Sequence, residues 1–192
     1  MRSGRLVFRG LSFALGAGEA LVLRGPNGSG KSSLLRLLAG FVRPAAGELS
    51  WDGAPIAADL TAHRARLAYV GHADAIKGVL TLRENLAFAL ALSGVPPAAL
   101  DGALERFDLV PLADSPARFL SAGQRRRLAL ARLIGSARPL WLLDEPAVGL
   151  DAANRARLQA ALAEHRASGG IAVLATHGDI DVPAPQVLEL GG

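Results

Sequence analysis

Residues 19–40, "EALVLRGPNGSGKSSLLRLLAG", pass from an apolar run through a glycine-rich turn into an amphipathic run, and that order decides the fold. "EALVLRG" (19–25) reads as a short buried strand and "KSSLLRLLAG" (31–40) as a helix closed by Gly40. Between them "GPNGSGKS" (25–32) matches G-x-x-x-x-G-K-[ST], in the strand–turn–helix setting that gives this pattern its meaning. Glycines at 25, 28 and 30 let backbone N–H groups curl around phosphate oxygens. Lys31 then reaches the β- and γ-phosphates, and the Ser32 hydroxyl can ligate Mg²⁺. Pro26, Asn27, Ser29 and Ser33 complete the expected nucleotide-contacting set. A merely flexible glycine turn is the alternative, and the flanking strand and helix argue against it.

Working outward, strands alternate with helices. "RLAYVGH" (66–72), "PLWLLDE" (139–145) and "IAVLATH" (171–177) are apolar strands that stop at polar residues, and "AANRARLQAALAEHRA" (152–167) is helical. This alternation predicts an α/β fold with a mainly parallel sheet. "GELSWDGAPI" (47–56), turning at Asp52-Gly53, predicts a small antiparallel arm, and "QVLEL" (186–190) a last one. From Thr81 to about Ala117 the pattern is helical, split by Pro96-Pro97, and Thr81 with Glu84 has capping-box spacing. The chain is thus expected to be a single domain over 1–192, with a helical subdomain inserted at about 78–122.

The acids that end "LWLLDE" would face the ligand crevice of such a sheet. Asp144 is expected to hold Mg²⁺ and Glu145 to act as general base on the attacking water. A solvated strand end is the plainer reading, and the phosphate loop weighs against it. His177, at the end of the next strand, is either structural or a hydrogen-bond donor to the γ-phosphate; its place beside the crevice favours the latter.

At 51% hydrophobic residues the chain can bury a substantial aliphatic core, and without cysteine it has neither disulfides nor thiolate metal sites. The net charge of +4 comes from arginine, since Lys31 and Lys77 are the only lysines, so it does not by itself indicate nucleic acid. The dense cluster Arg125-Arg126-Arg127 reads as a solvated or ligand-adjacent helix start. Arg2, Arg5 and Arg9 precede a short apolar stretch that ends in Glu19 without a cleavage site. No run reaches the roughly 20 apolar residues needed to span a bilayer. The chain is expected to be cytoplasmic.

One more stretch closes the sequence argument. In "LSAGQRRRLALARLI" (120–134), Ser121 and Gln124 have capping-box spacing around the nearly bare pair Ala122-Gly123, so an anion could approach the helix end. Phosphate loop, helical insert, "LSAGQ", "LLDEP", "GLD" and "ATH" follow in that order. The series resembles the nucleotide-binding subunits of ABC transporters over nearly the whole chain. That resemblance implies a head-to-tail homodimer around two ATP molecules, in which Ser121, Gly123 and Gln124 of one copy contact the nucleotide held by Gly28, Gly30 and Lys31 of the other. It further implies Glu145 as catalytic glutamate, Lys31 and His177 as its catalytic companions, and Asp151 as the aspartate at the dimer seam. His72, in "YVGH", stands where the family usually has glutamine; an imidazole offers fewer bonds and can become charged near neutral pH.

"GHADAIKGVLTLRENL" (71–86) narrows the resemblance to the haem exporter ATPases of cytochrome c maturation systems. It implies membrane partners of the CcmB and CcmC type, a peripheral place on the cytoplasmic face of the inner membrane, and work on haem-loaded chaperone. The alternatives are the ATPase of another ABC exporter, a soluble non-transport ATPase of the same superfamily, or a small-molecule kinase; the last would leave "LSAGQ" without a purpose. Family members also place an adenine-stacking aromatic ahead of the phosphate loop, whereas "MRSGRLVF" has none before Phe8. The expectation is that a short N-terminal stretch is missing, or that adenine affinity is weaker by about 1 kcal/mol.

Overall fold

The computed structural model describes residues 7–191, so Arg2, Arg5 and the rest of the segment before Val7 lie outside the described residues. Five strands build one parallel sheet: β1 (Ala20–Arg24), β4 (Leu67–Val70), β5 (Leu140–Asp144), β6 (Ile171–Ala175) and β7 (Gln186–Glu189), in the spatial order β4-β5-β6-β1-β7. The central strands are apolar runs because both faces of the sheet are covered. Successive side chains point to opposite faces, so each strand feeds two cores. Leu21, Leu23, Leu140, Leu142, Val173 and Ala175 meet α1 (Lys31–Leu38) through Leu34 and Leu35. Ala20, Val22, Trp141, Leu143, Ala172 and Leu174 face the other helices. Leu142 and Leu143 are fully buried, and a leucine so placed contributes about 1.5–3 kcal/mol.

The arm forms as expected, with β2 (Ser50–Trp51) antiparallel to β3 (Ala54–Pro55). Its turn has φ +50° at Asp52 and +77° at Gly53, the paired left-handed conformation of a tight hairpin. The terminal stretch 186–189 behaves differently from a second arm: β7 runs parallel to β1, with Val22 opposite Val187. A further helix, α2 (Leu60–Ala65), was not apparent from periodicity; Asp59 caps it by accepting from Ala62 N–H. From α2, His63 Nε2 lies 2.8 Å from Leu38 O, covering the open end of α1.

Between β4 and β5 lie α3 (Leu82–Leu92), α4 (Ala99–Arg106) and α5 (Ala122–Gly135), with Pro96 and Pro97 in the α3–α4 connection. Thr81 and Glu84 form the expected capping box at α3. Leu82, Leu86 and Leu90 recur on one face of α3 and pack with Leu104, Phe107 and Leu128 in the larger core. α6 (Ala152–Ala167) links β5 to β6. Among the described residues no helix is long and apolar enough to cross a membrane. Because the sheet is parallel, the segments leaving β4, β5, β6 and β1 all emerge at one edge, where ligands of open α/β sheets bind.

Candidate functional site

Gly25 opens the phosphate loop with φ +137°, and a Cβ there would collide with Leu190 O just past β7. Only glycine lets the terminal strand close over the loop this tightly. Residues 26–30 then turn, with Ser29 N–H bonded to Pro26 O at 3.2 Å, and Lys31 begins α1. The N-cap is Gly30, which offers no side-chain acceptor, so the first N–H groups of α1 remain free for an anion. Lys31 is buried and folded back, its Nζ donating to Gly25 O at 2.6 Å and Pro26 O at 3.2 Å. Ser29 Oγ is buried and has no hydrogen-bond partner among the described residues. An uncapped helix start, a buried ammonium satisfied only by local carbonyls and an orphaned hydroxyl fit a bound phosphate group. Phe8 lies against this loop: a Cβ on Gly30 would come 3.4 Å from its ring.

Asp144 ends β5, buried, opposite Ala175 of β6. Glu145 follows at φ +48°, a left-handed conformation that costs a non-glycine residue about 1–2 kcal/mol. Its N–H donates to Ala175 O at 2.9 Å, and its Oε1 lies 3.2 Å from His177 Nε2. The strand order explains the pairing, because β6 sits between β5 and β1 and carries His177 to the gap between the acids and the phosphate loop. Ser32 stands on the first turn of α1 and Asp144 at the end of β5. Among the described residues no group of three or more His, Cys, Asp or Glu side chains is gathered closely enough to hold a metal ion. Burial first, and the Asp144 charge second, raise the Tyr69 phenol above its ordinary pKa, so this neighbour of the acids stays neutral. His72 is exposed in the loop after β4.

The signature stretch makes its capping box: Gln124 N–H donates to Ser121 Oγ at 3.2 Å and Ser121 N–H to Gln124 Oε1 at 2.7 Å. A Cβ on Gly123 would come 2.9 Å from Gly149 O, so this glycine admits the 148–151 turn against the start of α5. Among the described residues no hydrogen bond joins 121–124 to 25–33 of the same chain. Asp151 caps α6, accepting from Asn154 N–H at 2.8 Å and from its side-chain amide at 2.9 Å. Those two bonds, the backbone one first, lower its carboxyl below the ordinary range.

The arginine cluster corrects the sequence reading. Arg125 donates to Leu120 O and Arg127 to Phe107 O, while Arg126 is buried rather than solvated. The signal was present in the spacing: Arg126 stands four residues before Leu130 and seven before Leu133, on the stripe that α5 buries. Charge alone suggested exposure.

Comparison with known proteins places this geometry. The ABC transporter family matches residues 8–148. The cytochrome c biogenesis ATP-binding export protein of Rhodospirillum rubrum is 57% identical over 190 residues, covering 99% of this chain and 82% of that protein. Its counterpart in Paramagnetospirillum magneticum is 55% identical, covering 99% and 89%. Among solved structures, an ATP-binding subunit of an ABC transporter superposes with TM-score 0.82 at 26% identity, over 91% of this chain and 75% of that one. An ATP-binding cassette solved as a dimer in a post-hydrolysis state with ADP and phosphate has the same fold, with TM-score 0.82 at 24% identity over 96% and 86% of the two chains. The chain therefore belongs to the ABC transporter ATP-binding family and, within it, to the cytochrome c biogenesis ATP-binding export proteins.

Proposed function

We propose that the chain is the ATP-hydrolysing motor of an export complex in cytochrome c biogenesis, working as a head-to-tail homodimer. The observation that supports the dimer is the arrangement within one chain: Lys31, Asp144, Glu145 and His177 gather at one sheet edge, and among the described residues no hydrogen bond joins Ser121 or Gly123 to residues 25–33. On this reading each copy supplies half of two reaction chambers.

Lys31 exchanges its bonds to Gly25 O and Pro26 O for the β- and γ-phosphates, and the N–H groups around Gly28 and Gly30 hold the same oxygens. Ser32 and Asp144 would hold Mg²⁺, which would neutralise charge on the phosphates. Glu145 takes the proton of the attacking water, and His177, whose Nε2 lies 3.2 Å from Glu145 Oε1, turns that N–H to the γ-phosphate when ATP binds. Ser121, Gly123 and the N–H groups of α5 in the second copy close the chamber from the far side. His72 stands exposed in the loop after β4, at the position of the family's glutamine, and Asp151 stands beside the seam.

The docking face for membrane subunits of the CcmB and CcmC type is the 71–86 segment with its neighbours. Val79 (80% exposed), Phe119 (71%), Phe88 and Leu92 are apolar and uncovered there. Lys77 over the Phe88 ring and the backbone bond from Arg118 to Gly78 O join them into one patch. On this reading the subunit works at the cytoplasmic face of the inner membrane, driving the handling of haem-loaded chaperone rather than acting on nucleic acid.

Glu145→Gln tests the reading, since an amide keeps the shape but takes no proton. Hydrolysis should fall by about 10²–10⁴-fold while ATP stays bound and the protein elutes as a dimer. A monomer under saturating ATP would refute the shared chamber. Ser121→Arg should stop turnover without weakening ATP binding to the monomer. Co-purification with nucleic acid instead of membrane proteins would refute the transport assignment.

A further inference from the structure

The side chain of Arg126 spends its whole bonding capacity on the two loops that frame the acids. A guanidinium carries five N–H donors and no acceptor. Nε donates to Pro146 O at 3.2 Å; Nη1 to Gly71 O at 2.8 Å and Asp74 Oδ1 at 3.2 Å; Nη2 to Asp144 O at 2.8 Å and Glu145 O at 2.6 Å. All five donors are used, in a group only 6% exposed. Four of the acceptors are peptide carbonyls, and they belong to residues that are, or adjoin, Asp144, Glu145 and His72. Asp74 supplies the counter-charge.

We propose that Arg126 is a positioning residue for hydrolysis: it fixes the aim of the Glu145 carboxylate and the stance of the His72 loop, and ties both to the helix that presents Ser121 and Gly123. The assignment rests on the ATP-hydrolysing reading above. Glu145 sits at φ +48°, where it would not stay without restraint. Its N–H is held by Ala175 O on β6 and its C=O by Arg126, so the peptide planes on both sides of its Cα are fixed. The Cα–Cβ direction follows from those planes, and from that base the side chain reaches His177, with Oε1 3.2 Å from Nε2. Arg132, six residues further along α5, donates to Asp74 O at 2.9 Å and Ala75 O at 3.0 Å, so the 71–75 loop is tied to that helix at a second point. A lysine has three donors on one nitrogen and cannot span both loops.

Arg126→Lys and Arg126→Gln, made in the full chain, test this. Expected is a kcat, counted per ATP-binding site, lower by about 10- to 100-fold, the scale set by a roughly 1 Å misplacement of a catalytic group. KM and the affinity for ATP without turnover should stay within about twofold, because the phosphate loop is untouched. A merely structural role would lower the number of competent sites and leave kcat per site unchanged, which overturns the proposal. Failure of both variants to fold overturns it too. Amide exchange gives an independent reading: residues 145–149 should open faster in the variants while α1 does not change, and equal protection refutes the clamp. If the wild-type chain binds ATP but never cleaves it, the proposed function fails, and the exchange measurement alone still decides the clamp.

Discussion

Replacing Gly123 by alanine sets two calculable effects against each other. Gly123 lies in the first turn of α5, in ordinary helical conformation, so alanine gains up to about 1 kcal/mol of helix propensity. The new Cβ would stand 2.9 Å from Gly149 O, a backbone atom. Relief to an ordinary contact needs the 148–151 turn or the start of α5 to yield by about half an ångström, and overpacking of this kind costs typically 1–3 kcal/mol. The net expectation is a loss of about 1 kcal/mol, or a melting temperature lower by about 2–4 °C for a chain of this size. Hydrolysis should fall further than stability, because the displaced segments carry Ser121 and Asp151, while nucleotide binding to the monomer should not change. Thermal unfolding alongside steady-state hydrolysis reads both. A variant more stable than the parent by the full propensity gain would show that Gly149 does not press on this helix, and the account of why glycine stands there would be wrong.

His165 stacks on Trp141 at 3.9 Å between ring centroids, and burial holds its imidazole below the ordinary value of 6.5. Folding therefore favours the neutral ring: that stability is complete above about pH 6.5 and is lost as pH falls through the lowered folded value. His165→Phe should flatten the dependence of melting temperature on pH between about 7 and 5, and an unchanged slope would count against the assignment. Phe107, fully buried in the helical core, should cost about 3–5 kcal/mol when cut to alanine. Urea unfolding measures it, and a loss below about 1 kcal/mol would mean the lobe is not packed around that ring.

How far the sequence could be read depended on how local each signal was. The phosphate loop, both capping boxes and the hairpin turn are fixed by bonds spanning a few residues, and the structure places all of them where their residues stand. The pairing of 186–189 beside β1 was not legible, since a four-residue strand says nothing of a partner lying more than 160 residues away. The six-residue α2 is shorter than two turns and leaves no periodicity to find. Arg126 was misjudged because its charge outweighed its place on the buried stripe; its acceptors come from segments about 20 and 55 residues distant, known only once the sheet is assembled. Family resemblance makes Asp151 an expected seam residue; what the structure shows of it is the cap of α6, which no family pattern announced.

The split of each central strand between two cores has a consequence for how this molecule can vary. Deleting one residue within 140–144 would exchange Trp141 and Leu143 for Leu140 and Leu142 on either face and draw the acidic end back by about 3.3 Å, past the length of any bond it makes. The hydrophobic alternation therefore works as a vernier, locking the chemistry to the scaffold by the same marks that pack the interior. Length changes are tolerable only beyond those marks, in the connections along the opposite rim of the sheet.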